Sequence, residues 1–277
     1  MAVRDTHRPL PRQAFRAGRF EGGARALPEE VPVALSFNGS TQAVMMATPG
    51  DLRDFGIGFA LTEGIAAPSE ITSVEVVEQE AGIDVQMWLV DEAQARLAAR
   101  RRHMAGPVGC GLCGLDSIEA VLRKVTPVAE SDFALTPGEV TRAMASLPGH
   151  QSLHDVTRAA HAAAFFTPEK GVVLAREDVG RHNALDKLAG AMLRSETAAK
   201  GAVVLTSRVS IDMVQKCAAL GAPVLIAVSA PTAHAVRVAE AAGITLVALA
   251  RGDRFEVFTR PDRILPTPSS RGAFDVA

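Results

Sequence analysis

Three short apolar runs, at 202–206, 223–228 and 244–250, recur in the second half of the chain, separated by helical spacing at about 211–220 and 231–242. Strands that are apolar without alternation are hidden on both faces, since an alternating strand would leave one face to water. The resulting βαβαβ order implies parallel strands, right-handed crossovers and helices laid over the sheet. Two further strands are expected upstream, at 161–166 and 172–176, then a helix from about Gly180 to Leu193 with Asp178 as its cap, and a last strand near 255–259. The second half therefore reads as a three-layer α/β domain.

The first half has another rhythm. Apolar runs at 31–37 and 41–47 flank Asn38-Gly39-Ser40, a strong hairpin signal. A helix is expected over about 52–63, ended by Gly64, then a second hairpin turning at Glu80-Ala81-Gly82 and a charged helix over 91–103. Thr136-Pro137-Gly138-Glu139 has the spacing of a capping box with proline at the first helical position. The expected organisation is a flexible basic tail at 1–28, a smaller α+β domain at 29–105, a mobile glycine-rich loop at 106–115 and the α/β domain at 116–277. Arg4, Arg8, Arg12, Arg16 and Arg19 make the tail basic, and Pro9, Pro11 and Gly18 argue against an amphipathic targeting helix there.

Composition mainly excludes. A 277-residue chain that is 48% hydrophobic and 22% charged is globular, and a net charge of -2 gives no case for a nucleic-acid or membrane-surface binder. Three cysteines cannot staple a secreted domain, and no apolar stretch suffices to span a bilayer. A cytoplasmic protein is expected.

In open α/β sheets ligands sit beyond the carboxyl ends of the strands. Here those positions hold Glu177-Asp178-Val179-Gly180-Arg181-His182, Ser207-Arg208, Ser229 with Thr232, and Arg251-Gly252-Asp253-Arg254. Arginine forks and helix N-termini both suit phosphate oxygens, so this rim is a candidate site for a phosphate-bearing ligand. No dinucleotide fingerprint or Walker A motif is present.

Cys110 and Cys113 stand as C-x-x-C in the glycine-rich loop. A zinc site lacks enough thiolates, a thioredoxin-like dithiol would directly follow a strand, and inert buried thiols fit poorly with so many glycines. The favoured reading is a nucleophilic or carrier thiol, with Arg100, Arg101, Arg102 and His103 upstream lowering its pKa. Cys217, inside a predicted helix, reads as packing.

The stretches 30–33, 46–52, 58–64, Cys110–Gly114, the long string Arg176–Lys187 and Val228–Thr232 together resemble the formate dehydrogenase accessory sulfurtransferases, the FdhD-type proteins. The resemblance covers about Glu29 to Thr259. It implies a sulfur carrier that takes persulfide sulfur from a cysteine desulfurase onto Cys110, with Cys113 as its partner. The sulfur would pass to the molybdenum bis(molybdopterin guanine dinucleotide) cofactor destined for formate dehydrogenase. It further implies cofactor contacts at Leu249, Ala250, Arg251, Gly252, Asp253 and Arg254, a cytidine deaminase-like larger domain, a homodimer and no structural metal. Two departures stand out: many members have a glycine pair where this chain has Arg158-Ala159-Ala160-His161, and Ser-Gly-Arg where it has Thr206-Ser207-Arg208. The alternatives are a dithiol oxidoreductase or redox sensor, which needs only the cysteine pair, and a cofactor-binding chaperone without sulfur chemistry.

Overall fold

The computed structural model describes residues 4–104 and 125–265, with side chains of 100–104 left out. The expected Gly-rich loop at 106–115 and the helix near 116–124 lie outside the described residues.

The first unit opens with a surprise. In place of the flexible tail expected at 1–28, β1 (His7–Arg16) and β2 (Arg19–Pro28) form an antiparallel hairpin in continuous register from His7↔Pro28 to Arg16↔Arg19. Its turn residues, Ala17 at φ 47° and Gly18 at φ 84°, supply the two positive φ values of a two-residue hairpin turn. Pairing sorts the side chains: Arg8, Arg12, Arg16, Arg19 and Arg25 share one face, and Phe15 stands opposite Phe20 on the other. Pro9 and Pro11 fall on that second face of a two-stranded sheet, where a missing N–H facing outward costs little.

Next, β3 (Val31–Phe37) and β4 (Ser40–Ala47) turn at Asn38 and Gly39, both at positive φ, as the dipeptide predicts. With β5 (Ile71–Gln79) and β6 (Gly82–Leu89) they build a four-stranded sheet of order β4-β3-β6-β5, in which β3 and β6 run parallel. Val33, Leu35, Phe37, Val85 and Met87 point from one face into a core closed by α1 (Leu52–Thr62) and α2 (Asp91–Met104).

The second unit is a six-stranded mixed sheet of order β12-β11-β10-β9-β7-β8. Its strands are β7 (His161–Thr167), β8 (Gly171–Asp178), β9 (Ala202–Leu205), β10 (Val224–Ala227), β11 (Thr245–Arg251) and β12 (Arg254–Val257). Strands β9, β10 and β11 are parallel, while β7 opposes β9. Successive residues enter opposite cores: Val203 and Leu225 face one cluster, Val204 and Ile226 the other. The first cluster is roofed by α5 (Arg181–Arg194), α6 (Ile211–Leu220) and α7 (Ala233–Ala241). The second is covered by α3 (Pro137–Ser146), which begins with the reciprocal Thr136–Glu139 capping box. The chain is therefore α/β, with a three-layer second unit. A short helix, α4 (Ser152–Thr157), was not foreseen.

The two units join where α1 crosses α5, and the crossing leaves no room for side chains. A Cβ on Gly58 would lie 1.7 Å from the Asp186 carbonyl oxygen, and one on Gly190 would lie 1.9 Å from that of Asp54. These contacts are backbone, so the helices themselves must separate to admit a methyl group. Gly58→Ala is expected to lower stability by at least about 3 kcal/mol, at the upper end of overpacking costs, as read by urea unfolding. A loss below about 1 kcal/mol would show that the crossing is looser than described here.

Candidate functional site

The topology brings all the expected strand-end segments to one edge. Asp178 ends β8, His161 begins the antiparallel β7, and the loops after β9, β10 and β11 leave on the same side. They do not make one cluster. Four strand spacings of about 4.8 Å separate β8 from β11, so Arg181 and Arg251 stand roughly 19 Å apart along the rim.

At the β11 end lies an open cleft of about 570 Å³, lined by Leu249, Arg251, Asp253, Arg254, Phe255 and Glu256. A bulge between Ala248 and Arg251 displaces β11 against β12, and Leu249 there adopts φ 53°. This non-glycine residue in the left-handed region turns its side chain outward, 37% exposed, while Ala250 stays packed in the core. Gly252, at φ 60°, makes the turn that sets Arg251 and Arg254 opposite each other across the strand pair. Arg251 Nε donates to the Val228 carbonyl oxygen at 3.3 Å, tying the cleft to the end of β10. Of the six expected contact residues, four line the cleft; Ala250 and Gly252 shape its backbone.

The middle of the rim is built by backbone. Val209 bridges Pro231, with Thr232 N donating to Val209 O at 2.9 Å, and Thr232 Oγ1 caps α7 through Ala235 N. Arg208 is exposed between them. Ser207 bonds only its neighbour's carbonyl. At the far end His182 Nε2 sits 3.7 Å from Asp212 Oδ2, and Arg181 Nε is buried with no hydrogen-bond partner. Burial, then the Arg181 charge, hold both His161 and His182 below the ordinary histidine value, so both are neutral imidazoles at pH 7. Among the described residues no group of three or more His, Cys, Asp or Glu is placed to hold a metal, and no helix is long and apolar enough to cross a membrane.

Much of the Arg176–Lys187 string faces inward, away from the rim. Arg176 bonds Asp54 on α1 at 2.7 Å, and Arg194 bonds the other oxygen of the same carboxylate at 2.6 Å. Asp178, fully buried, pairs with Lys187 at 2.6 Å and accepts from Thr48 N and Gly180 N. Asp178 is therefore not the cap expected of it: Gly180 is the N-cap, with no side-chain cap bond, and Asp178 Oδ1 accepts from Gly180 N and Asn183 Nδ2 while its other oxygen faces Lys187 and Thr48. Asn183 reaches the Met46 carbonyl, and Lys187 the Thr48 carbonyl at 2.9 Å. Glu177 caps α4 through the N–H groups of Leu153 and His154. Asp186 is bound by Thr62 Oγ1 at 2.6 Å and by Lys216 Nζ at 2.8 Å, and Lys216 also meets Glu63. Lys216, in no motif, was missed by sequence reasoning; a lysine in an otherwise apolar helix face was the available signal.

Arg158 ends α4 in the left-handed region at φ 58°, a conformation glycine adopts more readily. Cys110 and Cys113 lie outside the described residues, as do the side chains of Arg100, Arg101, Arg102 and His103. Cys217 is wholly buried among the helices roofing the sheet, and burial pushes its thiol up to about 12, so it is an inert packing residue.

Comparison with known proteins follows this geometry closely. The sequence profile of the FdhD/NarQ family matches residues 28–265. The sulfur carrier protein FdhD of Agrobacterium fabrum is 54% identical over 267 residues, covering 96% of this chain and 98% of the relative. That of Brucella abortus is 53% identical over 254 residues, covering 91% and 94%. A crystal structure of a protein from Desulfotalea psychrophila, assigned as a formate dehydrogenase accessory protein, superposes with a TM-score of 0.75 at 26% identity. It spans 94% of this chain and 100% of that one.

The inward network yields a test of its own. Burial pushes the Asp186 carboxyl up, and Lys216 opposes this; burial also disfavours the Lys216 charge, yet Asp186 and Glu63 outweigh it and hold the ammonium above its ordinary value. Lys216→Met should leave an unpaired buried carboxylate and cost about 3–5 kcal/mol at pH 7. Because the folded pKa of Asp186 then lies above its unfolded value near 3.9, the variant's deficit should shrink as pH falls from 7 towards 4. Denaturant titrations of both proteins across that range measure it, and a deficit that does not vary with pH would refute the assignment.

Proposed function

The chain belongs to the FdhD/NarQ family, and from that premise we propose that it is a sulfur carrier required for formate dehydrogenase activity. In this reading it accepts persulfide sulfur from a cysteine desulfurase and delivers it to a molybdenum bis(molybdopterin guanine dinucleotide) that is its client. The observation that carries the reading is the near-complete match to sulfur carrier proteins, together with the Cys110-x-x-Cys113 pair in the sequence.

The chemistry suits a thiol pair. The Cys110 thiolate attacks the terminal sulfur of the donor's persulfide; the S–S bond breaks, and the donor leaves as its thiolate. Cys110 then carries the sulfane sulfur. Delivery as sulfide requires two electrons, which Cys113 supplies by attacking Cys110 Sγ, closing a disulfide and expelling hydrosulfide towards the metal. A cellular thiol reductant reopens the pair. Arg100, Arg101 and Arg102 would favour the attacking thiolate through their positive charge.

The β11–β12 cleft is the proposed seat of the client's guanine dinucleotide. Arg251 and Arg254, opposed across an exposed turn, offer two guanidinium forks for pyrophosphate oxygens, and Leu249 offers an apolar surface beside them. Asp253 fits the same role as an acceptor for a donor-rich base edge. The strand order β8-β7-β9-β10-β11, with β7 reversed, supports likeness of this unit to cytidine deaminases. We also propose a homodimer acting in the cytoplasm.

Two experiments test this reading. Incubation with a cysteine desulfurase and cysteine, followed by peptide mass mapping, should add 32 Da, the mass of one sulfur atom, to the Cys110 peptide of the wild type, about the conversion expected of a persulfide. Accumulation of the same adduct in Cys110→Ala would overturn the assignment. In calorimetry with GDP, Arg251→Ala and Arg254→Ala should each weaken binding about tenfold, the loss of about 1.4 kcal/mol from one charge-assisted contact. Unchanged affinity in both would remove the cleft from the mechanism.

A further inference from the structure

Among the described residues, two apolar faces are left open to solvent. One belongs to the β1–β2 hairpin. Its arginine face turns towards its own chain: Arg25 donates to the Thr157 carbonyl at 3.4 Å and Arg8 pairs with Glu29. Arg12, Ala14 and Glu21, on that face, are accordingly half-buried. The opposite face carries no Arg, Lys, Asp or Glu and ends in Phe15 and Phe20, which are 65% and 71% exposed with ring centroids 5.2 Å apart. A two-stranded hairpin is marginal in water without a third strand or a surface beneath it. Ten regular ladder pairs ending in two solvent-facing phenylalanines therefore call for a covering partner.

The second open face is the outer side of the β4-β3-β6-β5 sheet. The register sets Met46 beside Pro32, Val44 beside Ala34, and Trp88 on the same side as Asp84 and Gln86. Val44, Met46 and Trp88 are 61%, 48% and 44% exposed. The charges on this side, Asp84 and Glu75, are both acidic, and Asp84 Oδ1 is buried without a hydrogen-bond partner. The hairpin, by contrast, carries five arginines against the single acid Glu21.

We propose that these faces cover each other between two copies of the chain. In a two-fold dimer the hairpin of each protomer lays its Phe15–Phe20 face on the Val44–Met46–Trp88 face of the other. This names the surface of the homodimer proposed above and rests on that reading. The face that the hairpin lays down carries no charged side chain, its arginines lying on the face turned to its own chain, so the pairing rests on apolar contact and not on charge. Area favours it. A hairpin about 33 Å long and 10 Å wide covers roughly 330 Å². Two reciprocal contacts, each burying both sides, then hide roughly 1,300 Å², within the range of specific stable interfaces. A hairpin stacked only on its symmetry mate would bury about half as much, short of that range. Two-fold exchange also closes the assembly, whereas the same complementarity without closure would run into a filament.

Sedimentation velocity on the full chain, with Phe15→Glu/Phe20→Glu and Val44→Glu/Met46→Glu, tests the surface. The wild type should be a dimer, and each variant should dissociate at least 100-fold more readily while keeping the wild-type circular dichroism. A second measurement needs no dissociating variant. Benzoylphenylalanine at position 20, irradiated in a mixture of light and ¹⁵N-labelled chains, should yield mixed-isotope cross-links mapping to β4 or β6. A monomeric wild type would overturn both the homodimer and this surface. A dimer that both variants preserve, or cross-links confined to one chain or to other elements, would overturn the surface alone and leave the homodimer standing.

Discussion

The structure depends on the crossing of α1 and α5. There the two units touch backbone to backbone, and three buried ionic groups surround the contact: Asp54 with Arg176 and Arg194, Asp178 with Lys187, and Asp186 with Lys216 and Glu63. Ion pairs withdrawn from water gain little net energy, but losing one member is severe, because the other then remains charged in a medium of low polarizability. Their consequence is geometric specificity. Each carboxylate accepts across the seam, Asp54 from Arg176 and Arg194, Asp178 from Thr48 N–H, Asp186 from the Thr62 hydroxyl and Glu63 from Lys216, so the two units can satisfy their buried charges in one mutual arrangement. The ammonium groups of Lys187 and Lys216 also stand 5.9 and 5.8 Å from the Phe55 and Phe59 ring centroids, which softens their removal from water.

This arrangement explains why the stretches that carry the family resemblance look so polar and yet are so little exposed. Thr48, Asp54, Gly58, Thr62 and Glu63 come from one unit, Arg176, Asp178, Asn183, Asp186 and Lys187 from the other. The first part of the Arg176–Lys187 string, Glu177–His182, follows a strand end and so reads from sequence as a set of ligand contacts. Here the buried polar groups of the two units are each other's ligands. The string thus holds the first unit at a fixed place beside the sheet.

The regular elements were legible because their signals are local. Asn38-Gly39 dictates a turn by its backbone preference, Thr136 and Glu139 cap by spacing, and unbroken apolar runs declare strands covered on both sides. The strand-end rule likewise singled out the turn from Arg251 to Arg254, which borders an open cleft. What escaped was whatever depends on distant partners. The β1–β2 hairpin alternates arginine with small residues and proline, so its pattern carries no apolar period, and only the register reveals that its charges share a face. Lys216 reads as an exposed residue of a helix until α1 is laid over it. The strand-end residues read as one rim because sequence order does not give strand order; once β7 and β8 take one flank and β11 the other, Arg181 and the pair Arg251 and Arg254 stand at different ends.

That division bears on how a carrier of this build can work. Sulfur handed between two large partners must be sheltered from stray thiols, yet each partner needs access in turn. A site in which anion-binding groups and sulfur-bearing thiol formed one compact pocket would have to admit donor and client at the same place. Here the guanidinium pair sits at the extreme β11–β12 edge of the sheet. Val125 lines a pocket with Leu61 and Thr62 of α1 and Gln215 of α6, on the seam between the units. With the units locked by the α1–α5 crossing, those two regions keep a constant separation. Whatever enters the cleft beside Arg251 and Arg254 thus meets a scaffold that the α1–α5 crossing holds in one arrangement.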